Sequence, residues 1–189
     1  MSERGVDAGE WLVAIDLQRV FGDPSSEWTA PRYAAAAANA VRLAERFGDR
    51  SVFTRFVAPA EPTGAWLAYY EGYPWALQPP DAPLYELTDE VAAVAAGAPT
   101  VQAPTFGKWV PQLRAVVGEQ PSLVVAGVAT DCCVISTVLA AADAGASIRV
   151  VTDACAGSTD ENHRKALDVM ALYGPLVTLT TTAEVLAAP

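Results

Sequence analysis

The sequence predicts a single-domain α/β fold: three layers, α/β/α, around a mainly parallel, Rossmann-like sheet of about six strands. Three observations predict it. Short apolar runs alternate with helix-patterned segments along the chain, the order that builds parallel sheets. Those runs are apolar almost continuously, as strands covered on both faces must be. And 189 residues, 52% hydrophobic and 18% charged, suffice for one sizeable core and leave little material for disorder.

The first strand is expected over residues 11–17, WLVAIDL. Its Asp16 has two readings: a cap for the following loop, or a reacting group at the carboxyl end of a central strand, where α/β enzymes place them. Gln18 and Phe21 follow, then a loop with Pro24, Ser25, Ser26 and Trp28. Residues 33–47 are alanines and long side chains, a strong helix that stops at Gly48. Residues 51–57, SVFTRFV, are aromatic and β-branched and give the second strand. Its Arg55 is either a structural partner or a group facing the crevice.

Residues 58–98 form an irregular insertion within the domain. Prolines mixed with Trp66, Tyr69, Tyr70, Tyr73 and Trp75 suggest a short helix held between loops. The aromatics read as a satellite core or subunit interface, or as a lid. A short third strand from residue 100 leads through Pro104, Thr105, Phe106 and Gly107 to Lys108, before a helix over 110–118. The strand at 147–155 ends near Asp153, and the helix that follows has Thr159 or Asp160 as its N-cap. That helix carries His163, the chain's one histidine, on an ordinary polar face. A last strand over 176–181 and a half-helix close the chain.

The chemistry concentrates at residues 123–146. There an apolar strand turns at Gly127, Val128, Ala129, Thr130 and Asp131 into a small-residue helix with Cys132 and Cys133 at its start. A thiol in the first turn of a helix faces unpaired N–H groups and the positive end of the dipole, which favour its thiolate. Cys133 is therefore the candidate nucleophile. Parallel topology puts Asp16, the Lys108 loop and Cys133 on one side of the sheet, at the strands' carboxyl ends. An acid, an ammonium and a thiol there make a workable hydrolytic set.

Other functions are disfavoured. A formal charge of −10 with only 12 Lys plus Arg gives no basic face for nucleic acid or anionic lipid. No GxGxxG or P-loop pattern is present. The polar N-terminus does not read as a signal peptide and no apolar run has membrane-spanning length, so a cytoplasmic location is expected. Cys132, Cys133 and Cys155 lack disulfide or zinc spacing and are expected to be free thiols. Redox chemistry through Cys132 and Cys133 is a lesser alternative.

These motifs resemble the isochorismatase-like cysteine hydrolases, a superfamily that includes nicotinamidases, N-carbamoylsarcosine amidohydrolases and ureidoacrylate hydrolases. Asp16-Leu17-Gln18 with Phe21 is similar to the family's D-x-Q-x-x-F, and GVATDCCVIST to its G-x-A-T-x-x-C-V-x-x-T signature. The resemblance implies that Cys133, not Cys132, is the nucleophile and Asp16 the general base. It also implies a cis peptide between Val128 and Ala129, with the N–H groups of Ala129 and Cys133 as the oxyanion hole. The family's lysine ends the third strand, where this chain has Ala103. Either Lys108 folds back to supply the ammonium, or the triad is incomplete. The aspartate and histidines of metal-dependent relatives are missing after the second strand, so neither metal nor cofactor is expected.

The expected function is cleavage of a C–N bond in a small amide, carbamoyl or ureido compound through a Cys133 thioester. Gln18, Phe21, Trp28 and Trp66 are candidate pocket residues. The alternative is a weak or inactive member acting as a binding or assembly protein. A small-molecule substrate is expected, with no nucleic acid or membrane partner, and by resemblance a homo-oligomer, dimer or tetramer.

Overall fold

A computed structural model describes residues 9–187. The polar segment behind the signal-peptide expectation, residues 1–8, lies outside the described residues, as do the last two of the expected C-terminal half-helix. The strands are β1 (Glu10–Ile15), β2 (Ser51–Phe56), β3 (Thr100–Ala103), β4 (Ser122–Val128), β5 (Ser147–Ala156) and β6 (Val177–Thr180). They form one sheet in the order β3-β2-β1-β4-β5-β6. Every pairing is parallel. The order reverses between β1 and β4, and a crevice opens at the carboxyl ends there.

The helices are α1 (Arg19–Gly22), α2 (Tyr33–Phe47), α3 (Ala65–Gly72), α4 (Asp89–Ala95), α5 (Pro111–Val117), α6 (Ile135–Asp143), α7 (Asp160–Ala171) and α8 (Thr182–Ala187). Alternate strand residues feed opposite cores. Leu12, Ala14, Val124 and Ala126 pack with α2, α4 and α8. Val13, Ile15, Leu123 and Val125 pack with α5, α6 and α7. Burying each large aliphatic side chain contributes about 1.5–3 kcal/mol, which explains why these strands carry almost no polar residues. Along α2, Ala36, Ala37, Ala40, Leu43, Ala44 and Phe47 are buried at helical spacing, and the small alanines let the helix lie close on the sheet.

Two backbone positions shape the crevice. Asp16 has φ 51°, so β1 stops at Ile15 and the chain turns sharply instead of continuing to residue 17. Gly127, φ 124°, lies opposite Ile15, where an added Cβ would come within 2.0 Å of the Ile15 carbonyl oxygen. Only glycine lets β4 pass that close to the turn carrying Asp16. β5 also runs past its expected end. Its register against β4 shifts between Val125 and Gly127, and Asp153 lies within the strand, where its carboxylate accepts the N–H and hydroxyl of Thr182.

The insertion at 58–98 is folded against the main core. It holds α3, α4 and two short 3-10 turns, Pro74–Ala76 and Pro83–Tyr85, and buries Tyr70, Ala76 and Tyr85.

Candidate active site

Asp16 and Lys108 are both fully buried, and the lysine Nζ lies 2.8 Å from Asp16 Oδ2. The lysine reaches this point by folding back from the loop after β3: its ammonium also donates to the carbonyls of Thr105 (2.6 Å) and Phe106 (3.0 Å). Three oxygens thus surround a group with three donors. Ala103, at the end of β3, is an ordinary buried core residue. On the other side, Asp16 Oδ1 accepts the Thr54 hydroxyl at 2.6 Å, and the Asp16 N–H donates to Thr54. Oδ2 accepts no aligned hydrogen bond among the described residues, although the ammonium stands beside it.

Cys133 is 3% exposed. It lies in a wide turn, Thr130–Val134, closed by i→i+5 bonds, so that α6 begins only at Ile135. In that turn the Ala129 carbonyl accepts the N–H of both Cys132 and Val134. The Val128–Ala129 peptide is cis. Burial pushes the Cys133 thiol well above its usual value, the Asp16 charge pushes it further, and the Lys108 charge opposes them. The position at a helix start favours a thiolate, and burial opposes it. Cys132 is also raised, to about 11, by burial and then by Asp131.

The lysine loop and the cysteine turn are tied together. The Lys108 N–H donates to the Thr137 hydroxyl (2.8 Å), which in turn donates to the Cys133 carbonyl (2.6 Å). Thr137 is the last residue of the signature, a signal available from sequence; Thr54 is one of two hydroxyls in β2 and carried no such signal.

A cavity of about 350 Å³ opens over Cys133, with Ala129, Cys132 and Ser158 in its floor and wall. Phe21 and Trp28 line it as expected from sequence. Gln18 and Trp66 do not. The Gln18 amide is fully buried and clamps two segments, donating to the carbonyls of Phe56 and Tyr85 and accepting the Phe56 N–H. Trp66 packs behind the wall, 5.2 Å from Phe106 and 5.3 Å from Tyr69 between ring centroids. The remaining walls are Phe56, Tyr69, Tyr73 and Phe106, which sequence reasoning left among the core or interface aromatics or in the lysine turn.

Arg55 is structural, donating to the Tyr85 carbonyl at 2.8 Å. His163 bonds the Thr130 hydroxyl at 2.8 Å and does not line the cavity. Its pKa is lowered, first by burial. Asp131 binds Ser158 through its N–H and hydroxyl, fixing the turn to the start of the α7 region. Among the described residues no group of three or more His, Cys, Asp or Glu is placed to hold a metal ion, and no helix is long and apolar enough to cross a membrane.

The fold and site define a class: a three-layer α/β protein with a buried cysteine, carboxylate and ammonium meeting at the switch point of a parallel sheet. The chain belongs to the isochorismatase family of hydrolases, since the Isochorismatase domain model matches residues 10–184. Among solved structures it is similar to a cysteine hydrolase from Pseudomonas syringae pv. phaseolicola 1448A, with 17% identity, a TM-score of 0.79, and 95% of this chain and 91% of that chain covered. It is also similar to an isochorismatase-like hydrolase from Alkaliphilus metalliredigens, with 16% identity, a TM-score of 0.76, and 95% and 97% covered. At such identities the likeness concerns the fold. No curated protein matches the sequence.

Proposed function

We propose that the protein hydrolyses a C–N bond in a small amide, carbamoyl or ureido compound, with Cys133 as nucleophile and without a metal. The observation that carries this reading is the pairing of a buried thiol with a buried carboxylate whose Oδ2 is open and lies 2.8 Å from an ammonium. Asp16 takes the thiol proton as Sγ attacks the carbonyl carbon. Lys108 stabilises the transient thiolate, and the N–H groups of Ala129 and Cys133 hold the tetrahedral oxyanion. Protonated Asp16 then returns its proton to the departing nitrogen, which leaves as ammonia or an amine, and a thioester (or thiocarbamate) remains on Cys133. Water, deprotonated by Asp16, attacks that carbonyl. The acid is released, and the proton passes back to Sγ.

The raised thiol pKa fits this order, because proton transfer and attack proceed together and no free thiolate needs to accumulate. The rival reading, a binding or assembly protein, calls for a filled crevice, and the open cavity over Cys133 favours the enzyme over it. The test has two parts. Primary amides and ureido acids are screened for ammonia release, and the protein is treated with iodoacetamide and the adduct mapped. Turnover that falls at least about a thousandfold in Cys133→Ser supports the reading. Full turnover in that variant, or alkylation confined to Cys132 or Cys155, overturns it.

A further inference from the structure

We propose that the cavity over Cys133 selects amides whose non-reacting end carries a positive charge, an alkylammonium group. This rests on the amide-hydrolase reading above and names the substrate class for that site. The rings of Phe21, Trp28, Phe56, Tyr69, Tyr73 and Phe106 line the cavity. Phe21 lies nearly parallel to Trp28, at 13° with ring centroids 6.2 Å apart, and the other neighbours of Trp28 do not. Tyr69, Tyr73 and Phe56 are inclined to Trp28 by 36°, 66° and 74°, with ring centroids 6.0, 5.3 and 5.8 Å away. The lining therefore offers ring faces and edges at several inclinations. A cation against them gains the attraction of the ring faces as well as the burial, Phe56 apart, whose ring lies 5.7 Å from the Lys108 ammonium.

Charge points the same way. Among the described residues Glu27 is the one charged side chain in the lining, and no lysine or arginine lines the cavity. The nearby Lys108 ammonium cannot serve an anionic guest, because Asp16 and the Thr105 and Phe106 carbonyls already surround it and it is fully buried. A carboxylate in this cavity would lose its hydration, find no counter-charge and meet Glu27. The Trp28 indole N–H is buried and has no acceptor among the described residues. It is a single neutral donor, suited to a carbonyl oxygen and insufficient to hold a carboxylate.

The test compares three amides that share a reacting end. Trimethylammonioacetamide is the cation, tert-butylacetamide is its neutral isostere, and malonamate is an anion of similar length. Dissociation constants are measured by calorimetry on Cys133→Ser protein, where no turnover intervenes. In the wild type, each amide is also assayed for protecting Cys133 from iodoacetamide. The cation is expected to bind at least about tenfold more tightly than its isostere, and malonamate more weakly than both. Glu27→Gln and Tyr69→Leu should each narrow the gap between cation and isostere.

An isostere that binds as well as the cation, malonamate binding best, or no binding by any of the three overturns the proposal. The two readings fail separately. A cation preference with no turnover of any amide sinks hydrolysis and leaves the selectivity standing, whereas turnover of neutral amides without the preference does the reverse.

Discussion

Lys108 brings its charge to Asp16 from beyond β3, and among the described residues the two are each other's only charge partners within the buried centre. Removing one leaves the other as an uncompensated buried ion, a change that costs about 3–5 kcal/mol. Lys108→Ala is therefore expected to lower stability by that amount in urea unfolding and to abolish turnover of any substrate found. The double variant Asp16→Asn with Lys108→Met should recover much of the stability while remaining inactive; if it is no more stable than Lys108→Ala, the buried-pair account fails. At this scale the sequence was informative where a side chain has few possible jobs. A cysteine at a strand-to-helix turn is of that kind, whereas Asp16 alone was open to two readings. With only Lys108 and Lys165 in the chain, scarcity itself pointed to the lysine. Gln18 was not legible, because an amide at a strand end serves equally as a pocket group or as the clamp it proves to be. Nor was the protonation of Cys133, since pattern locates a helix start but gives no measure of how dry its surroundings are.

Between elements, Thr137 joins the lysine loop to the cysteine turn through one hydroxyl that both accepts and donates. Thr137→Val keeps the volume and removes both bonds, leaving the buried Lys108 N–H without its acceptor, a cost of about 1–3 kcal/mol. The expected outcome is a fall in kcat of about tenfold with KM little changed, because the reacting groups lose their mutual register while the aromatic walls stay in place. Thr137→Ser should restore most of it. Steady-state kinetics on the two variants decides the matter: an unchanged kcat in Thr137→Val would remove Thr137 from the positioning scheme. Strands and helices were legible to within a residue or two wherever apolar runs were long. The register shift of β5 against β4 was not, since it leaves no mark in composition. The insertion was legible as irregular but not as the source of Tyr69 and Tyr73 in the cavity wall.

For the molecule as a whole, buried thiols set the alkaline limit of stability. Cys155 is raised to about 12 from an ordinary value of 9.0, mainly by burial, and Cys133 is raised well above the same value. A group whose folded pKa is raised lends its stability fully below the unfolded value and loses it as pH climbs through the folded one. His163 acts at the other end: its pKa is lowered from 6.5, so its contribution is present above that value and lost as pH falls. Thermal melts should therefore show a plateau between about pH 7 and 9 with a decline on both sides. Cys155→Ala should flatten the alkaline side; a melting temperature still rising at pH 10 would contradict the account. Fold class was the most legible feature of all, because burial on both faces is written continuously into the central strands β1 and β4.

The lysine's route has a consequence for how relatives are compared. The centre inherits a positive charge at a point in space, and the chain is free to deliver it from a different place in the order of residues. Sorting relatives by what stands at the end of β3 would file this protein, with its Ala103, among the inactive. Sorting them by what lies beside the carboxylate would not.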